Sequence, residues 1–482
     1  MKAEPIAGKL ARFVEALGID NIPPEVALRA RYLILDAIGC AMAARREEFA
    51  TRFWSATKAL AVDTSGTAGV IGYAERVPLR DAAVLNGVLM HGLDYDDTHL
   101  AGVIHLTVAV LPAVLNLASR RKLSGADLLV AYIAGLETGA RIAMAARSGI
   151  HAQGFHTTAV VGTFAAAWAA GRLMRLDANQ LVQAQGAALS MAAGSLQFIE
   201  DGGWTKRLHA GWAAQAGITA ATLASEGIVA PSAPYTGRYG LFHSYLDEAG
   251  RQGIDLALAT HALAGGADEP VWELTNIAVK PYAMCHFVHA ATDAAIVLHR
   301  LGVGSADIRD IEVLVPQEAV PIVCEPSALK RRPRSDYEAK FSLPYAVAAG
   351  LTHGRLGLKE LEPSAYLDVK AQALMDRVRY VVDPDSTFPR GYGGEVRVTL
   401  ADGTHHRHRE ALNRGSAEIP LSNAEVRDKF MDNATLHFSP AHARAVCDLV
   451  LGLDHLKSAS VLEDLLARDP GDSPGESGCK PR

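Results

Sequence analysis

Cysteine is sparse and unpaired in this sequence. Its 482 residues hold five, Cys40, Cys285, Cys324, Cys447 and Cys479, scattered and with no CxxC pair. That pattern argues against a disulfide framework and a thiolate zinc site, and it makes a reducing compartment the default. Charge of one sign is lacking too. Lys+Arg 47 against Asp+Glu 53 leaves a net −6, so nothing draws the whole chain to nucleic acid or to an anionic membrane. No apolar run reaches the ~20 clean residues of a membrane span. The best candidate, LLVAYIAGLETGARIAMAA, is interrupted by Glu137 and Arg141. The start, MKAEPIAGKLARFVEALG, has no uninterrupted apolar core and no small-residue cleavage site, so no signal peptide is expected. TGRYGLF at 236–242 lacks the Walker pattern, GxGxxG is absent, and no nucleotide site is expected. These absences leave a soluble, cytoplasmic protein with no nucleic-acid or membrane partner.

What is present is helix after helix. At ~150 residues per domain the length suits two or three domains. PEVALRARYLILDAIGCAMAA opens with Pro24 in its first turn and spaces Val26, Ala30, Leu33 and Ala37 helically. Six more stretches, from DAAVLNGVLMHGLDYDD to LHAGWAAQAGITAATLASEG, are rich in Ala, Leu and Gly. Small residues allow close helix packing, so a large all-helical domain is expected over 1–270. Beyond residue 270, VWELTNIAVKPYAMC, DIRDIEVLVPQEAVPIV and RVRYVVDPDS carry β-branched runs, and GEVRVTLADGTHHRHRE reads as a hairpin around Asp402-Gly403. The expected fold is therefore mainly α. A smaller α+β lid domain over 271–410 would be inserted before C-terminal helices at 411–468 that rejoin the first domain. Residues 469–482, rich in Pro, Gly and Ser, are expected to be disordered.

The densest polar cluster is HGLDYDDTHLAGVIH, residues 91–105, flanked by apolar helices. Asp94 and Thr98 are four apart, which on a helix is one face. Three carboxylates and three imidazoles in fifteen residues cost desolvation energy unless they are paired or used. GFHTTAVVG places His156 before an Ala-rich helix that Thr157 or Thr158 could cap. DGGWTKRLHAG sets Lys206 and His209 at i,i+3 at a loop-to-helix junction, where a cation can meet a carboxylate or phosphate. NIAVKPYAMCHFVHAATDA brings Lys280, Cys285 and His286, although adjacency does not make Cys285–His286 a nucleophilic pair. YEAKFSLPYAV offers Tyr345, either a core residue with a polar tip or a proton donor.

Such groups suit a small anion. Lysines can clamp carboxylates and stabilise the charge that develops when an α-carbon loses a proton. Imidazoles move protons near neutral pH. The expected chemistry is proton transfer α to a carboxylate, followed by elimination, decarboxylation or epimerisation, with no metal required.

LILDAIGCAMAA, NGVLMHGLDYDDTH with the later HLTVAVLPA, GFHTTAVVG, WTKRLHAGWAAQAG, VKPYAMCHFVHAATDA and EAKFSLPYAVAAGL together resemble the MmgE/PrpD family, in the family's order and over about residues 5–460. That family includes 2-methylcitrate dehydratases, cis-aconitate decarboxylases and iminodisuccinate epimerases. The resemblance implies a homodimer of two-domain subunits with a site in the cleft between domains and no metal or organic cofactor. It carries the family's site to Asp94, Thr98, His105, His156, Lys206, Lys280, His286 and Tyr345. His105, His156, Asp94 and Tyr345 would be catalytic; Thr98, Lys206, Lys280 and His286 would hold substrate. The implied activity is a cofactor-independent lyase, a dehydratase or decarboxylase acting on a small di- or tricarboxylic acid such as 2-methylcitrate or cis-aconitate. The alternatives are an epimerase of a substituted succinate such as iminodisuccinate, a metal-dependent hydrolase using His91, Asp94, Asp97, His99 and His105, and a catalytically inactive binding protein.

Overall fold

The computed structural model describes residues 5–60, 66–265, 269–388 and 391–468. Residues 469–482, expected to be a disordered tail, lie outside them. The chain divides into two units, Met1–Ile277 with Ser422–Arg482, and Ala278–Leu421. The fold is mainly α.

The first unit is helical. Its main elements are α1 (Pro24–Ala44), α2 (Leu79–His91), α3 (Thr107–Arg120), α4 (Gly125–Ala146), α5 (Thr157–Leu173), α6 (Ala178–Leu189) and α7 (Thr205–Ser225). Local chemistry fixes their starts. Pro24 occupies the first turn of α1, where its missing N–H costs nothing. Ser124 and Asp127 cap α4 reciprocally, each side chain accepting the other's backbone N–H. Helix α4 is long and apolar enough to cross a membrane by composition alone. Here it lies in the core, with Glu137 and Arg141 buried as an i,i+4 ion pair.

Small residues set how closely these helices approach. Helix α7 packs on α5 and on α2. A Cβ at Gly87 of α2 would lie 2.4 Å from the Gly211 Cα of α7, and one at Gly211 would lie 2.1 Å from the Val84 carbonyl oxygen. Only glycine fits on either side of this crossing. The crossing brings the C-terminus of α2, with His91, beside the N-terminus of α7, where Arg207 Nε donates to the Gly92 carbonyl at 2.9 Å.

The second unit holds α8 (His289–Arg300), α9 (Leu343–His353) and a four-stranded sheet. Its strands are β1 (Ile308–Val315), β2 (Val378–Val382), β3 (Gly394–Leu400) and β4 (His405–Glu410), in the order β2-β1-β3-β4. Strands β1 and β2 are parallel; the other pairs are antiparallel. Ile311, Val313, Val396 and Val398 are buried at alternate positions, and α8 packs on β3 and β4. The intervening positions form a charge ladder running Arg379–Glu312–Arg397–Glu395–Arg409. The expected hairpin is β3–β4, turning at Gly403 with φ +88°. Two expected strands are corrected. Glu273–Asn276 is a 3₁₀ turn, and 317–324, after Pro316 ends β1, is a 3₁₀ turn (Gln317–Ala319) running into a π-helical turn (Val320–Cys324) rather than strand. Pro cannot donate to a ladder, and it ends the run there.

The chain re-enters the first unit as α10 (Asn423–Ala434) and α11 (Pro440–Leu451). Helix α10 packs on α1, where buried Lys429 pairs with buried Asp36 at 2.7 Å.

Candidate active site

Helix α2 ends at His91, and the DYDDT run is not helical. This corrects the shared helix face expected for Asp94 and Thr98. Asp94 lies in the left-handed region (φ +53°), which Asp tolerates better than most residues but still at a cost on the order of 1 kcal/mol. Its N–H donates to the His91 carbonyl at 3.0 Å. The next carbonyl, that of Tyr95, accepts from Lys429 Nζ at 2.7 Å, so α10 holds the loop from 334 residues away. Mutual backbone bonds between His99 and Ile104 then close the following loop. That closure returns His105 to Asp97 and Thr98.

Four imidazoles meet there. The rings of His91 and His105 are 4.8 Å apart, His91 and His156 5.7 Å, His105 and His156 6.2 Å, and His156 and His209 5.2 Å. Asp96, fully buried, accepts from His91 Nδ1 at 3.0 Å with both oxygens, and its Oδ2 is 3.0 Å from His105 Nδ1. The same His105 nitrogen is 2.8 Å from the Asp97 carbonyl and 3.2 Å from Thr98 Oγ1. The His105 N–H donates to Thr158 Oγ1 at 3.1 Å. His156, not a threonine, is the N-cap of α5, and its Nδ1 is 3.0 Å from His209 Nδ1. Lys206, in the first turn of α7, pairs with Asp94 at 2.8 Å.

The electrostatics sort these groups. Burial works against the Asp96 charge, but the His91 and His105 imidazoles outweigh it and hold its carboxyl well below the usual range. Burial, aided by the charge of Asp96, pushes Asp97 up to about 8. Asp97 Oδ2 accepts from the Thr107 hydroxyl, itself 2.7 Å from the Tyr132 hydroxyl. Burial and then Lys206 drive His156 well below the ordinary imidazole range. Burial, His91 and Lys206 lower His209 to about 4. Both stay neutral at pH 7.

Five of the expected residues, Asp94, Thr98, His105, His156 and Lys206, thus come together in the first unit, joined by His91, Asp96 and His209. The other three belong to the second unit. Lys280 is buried after the short strand Ile277–Ala278. His286 opens a 3₁₀ turn, with its ring 4.5 Å from His289. Buried Tyr345 donates its hydroxyl to the Glu360 carbonyl, the contact of a core tyrosine. The five-residue ligand set of the hydrolase reading is not assembled, because Asp94 goes to Lys206, His99 to Glu273 and Asp97 to Thr107. Among the described residues, His91, Asp96 and His105 are the group whose ligand atoms, within 4.8 Å of one another, could hold a metal ion.

Asp96 was not singled out by sequence, since spacing does not say which carboxylate of DYDD turns inward. His209 was visible as i,i+3 to Lys206, but its partner His156 was not.

The helical first unit thus gathers four imidazoles, the Asp96 carboxylate and the Lys206–Asp94 pair in one place. The chain belongs to the MmgE/PrpD family: the family's N-terminal domain matches residues 8–252 and its C-terminal domain residues 282–454. It is 28% identical to a cis-aconitate decarboxylase of Aspergillus terreus over 96% of both chains. It is also 28% identical to that of Homo sapiens (99% of this chain, 97% of the relative) and 27% to that of Mus musculus (97% and 94%). Family and relatives make it an enzyme of the lyase type.

Proposed function

We propose that the protein is a lyase that decarboxylates a small tricarboxylic acid, with cis-aconitate the foremost candidate, and that it needs no cofactor. The observation that carries this is the pairing of His105 with Asp96 at 3.0 Å beside a neutral His156 and the Lys206–Asp94 pair. Full-length similarity to cis-aconitate decarboxylases supports the choice of acid.

Decarboxylation breaks a carbon–carbon bond. The released electron pair spreads toward a neighbouring carboxylate, and carbon then takes up a proton. Fixed cations lower the energy of that charge, and a positioned imidazolium supplies the proton. His105, beside the Asp96 carboxylate, is the group to carry that proton. His156, buried and close to Lys206, is the neutral partner. Lys206 would grip a substrate carboxylate while Asp94 orients the ammonium and Thr98 the His105 ring. Lys280 and His286 are proposed as further carboxylate-binding groups, and Tyr345 as a donor once its hydroxyl leaves Glu360. The soluble, cytoplasmic homodimer belongs to the same reading, and sedimentation of the purified protein tests the dimer.

A second reading rests on the 6.2 Å between the His105 and His156 rings, a separation that suits two bases flanking one carbon of a substituted succinate. One experiment separates them. Citrate, 2-methylcitrate, cis-aconitate and iminodisuccinate are each incubated with enzyme in deuterated water and followed by NMR. A decarboxylase releases CO₂ from cis-aconitate and a dehydratase releases water from 2-methylcitrate. An epimerase exchanges label into iminodisuccinate without other loss of mass.

A further inference from the structure

The Nδ1 atom of His105 faces only acceptors at its two shortest contacts: the Asp97 carbonyl at 2.8 Å and Asp96 Oδ2 at 3.0 Å. Neither oxygen can donate, so Nδ1 must carry hydrogen. The neutral ring then keeps its basic lone pair on Nε2. His91 Nδ1 lies 3.0 Å from both oxygens of the same carboxylate and must carry hydrogen for the same reason. One fully buried anion therefore serves two imidazoles, and His91 clamps it in the orientation that presents Oδ2 to His105.

We propose that Asp96 is a positioning residue of the reaction: braced by His91, it fixes His105 in the Nδ1–H tautomer so that Nε2 is the nitrogen that exchanges protons with substrate. This rests on the reading of His105 as the proton carrier. The other titratable groups that feel the Asp96 charge are Asp97, which holds its proton at neutral pH, and Asp36, which pairs with Lys429.

The role needs a carboxylate. An asparagine offers one acceptor oxygen and one donor NH₂ and carries no charge. In either orientation the NH₂ stands about 3.0 Å from His91 Nδ1–H, and with the NH₂ in the Oδ2 place it also opposes His105 Nδ1–H, so the bracing of the two rings is weakened. Loss of the correct tautomer at a general base is costly, on the order of 10²- to 10⁴-fold in rate.

The test has two arms. In the first, wild-type enzyme labelled with ¹⁵N-histidine is studied by long-range ¹H–¹⁵N NMR, with His105→Gln supplying the assignment. The proposal expects a protonated-type Nδ1 and an imine-type Nε2 on His105. An Nε2–H tautomer, or a metal ion bound to Nδ1, overturns it. This arm needs no turnover, so it stands apart from whether the wild type decarboxylates any acid. In the second, Asp96→Asn, checked for a native circular-dichroism spectrum, should lose at least ~100-fold in kcat with KM changed by less than ~3-fold. His91→Asn, which keeps a donor near the Nδ1 position, should retain far more kcat than His91→Leu. A folded Asp96→Asn enzyme with wild-type kcat overturns the proposal. So does an equal loss in the two His91 variants.

Discussion

Lys206 Nζ lies 2.8 Å from Asp94 Oδ1, and both side chains are almost wholly shielded from water. The ammonium is thus held by a carboxylate of its own chain. A substrate carboxylate would share it rather than find it free. Lys206→Ala removes a cation and strands an anion. Its KM should rise ~10- to 100-fold, as loss of a charge-assisted hydrogen bond implies, while kcat changes less. Stability should fall by a few kcal/mol, as is typical when one member of a buried pair is lost. Thermal melts should show Asp94→Asn/Lys206→Met recovering much of that stability without recovering KM.

His156 is neutral at working pH, and the same ring pairs with His209. His156→Ala should lower kcat by ~10²- to 10⁴-fold, the usual contribution of a positioned acid or base, and leave KM within a few-fold. Steady-state kinetics on citrate, 2-methylcitrate, cis-aconitate and iminodisuccinate, read beside wild type, check this. Unchanged constants count against the assignment.

The buried titratable groups also set a pH window for stability. His209 falls from an ordinary 6.5 to about 4 in the folded protein. Below about 6.5 the unfolded chain therefore binds a proton that the folded chain refuses, and stability drops as pH falls from 6.5 towards 4. Asp97 behaves oppositely. Raised from 3.8 to about 8, it keeps its proton in the folded state after the unfolded chain has lost it, so stability drops as pH rises from about 4 to 8. Asp97→Asn should remove that alkaline loss. Melts from pH 5 to 9 should show the variant's advantage over wild type growing with pH, by at least ~2 °C at the top of the range.

Gly87 and Gly211 hold α2 and α7 at contact distance. Gly87→Ala or Gly211→Ala should cost at least ~1–3 kcal/mol by overpacking. Because the crossing joins the His91 end of α2 to the Lys206 end of α7, activity should fall beyond the loss of folded protein. Denaturant melts and specific activity of the folded fraction measure both effects.

Much of this was legible in the residues. The helical spacing of Val26, Ala30, Leu33 and Ala37 marked α1, the Ala-, Leu- and Gly-rich stretches marked α2 to α7, and the Asp402-Gly403 turn marked β3–β4. His105, His156, Lys206, Asp94 and Thr98 were each visible as polar groups stranded in apolar surroundings. What was not legible is long-range or conformational. The left-handed backbone at Asp94 turns DYDDT out of helical register, so i,i+4 spacing misled there. Which carboxylate faces His105 depends on that turn, and Asp96 was missed for this reason. Lys429 braces the same loop through a contact across 334 residues that no local pattern reveals. The apparent strand at 317–324 fails because Pro316 ends β1 and the chain coils, whatever its β-branched content.

If the clustered imidazoles move a proton on a small carboxylic acid as it loses CO₂, turnover of cis-aconitate in deuterated water, followed by ¹H and ¹³C NMR, should release one CO₂ per molecule and place one deuteron on product carbon, with both lost together in His105→Gln. Intact cis-aconitate, or CO₂ release that His105→Gln leaves at the wild-type rate, would contradict it.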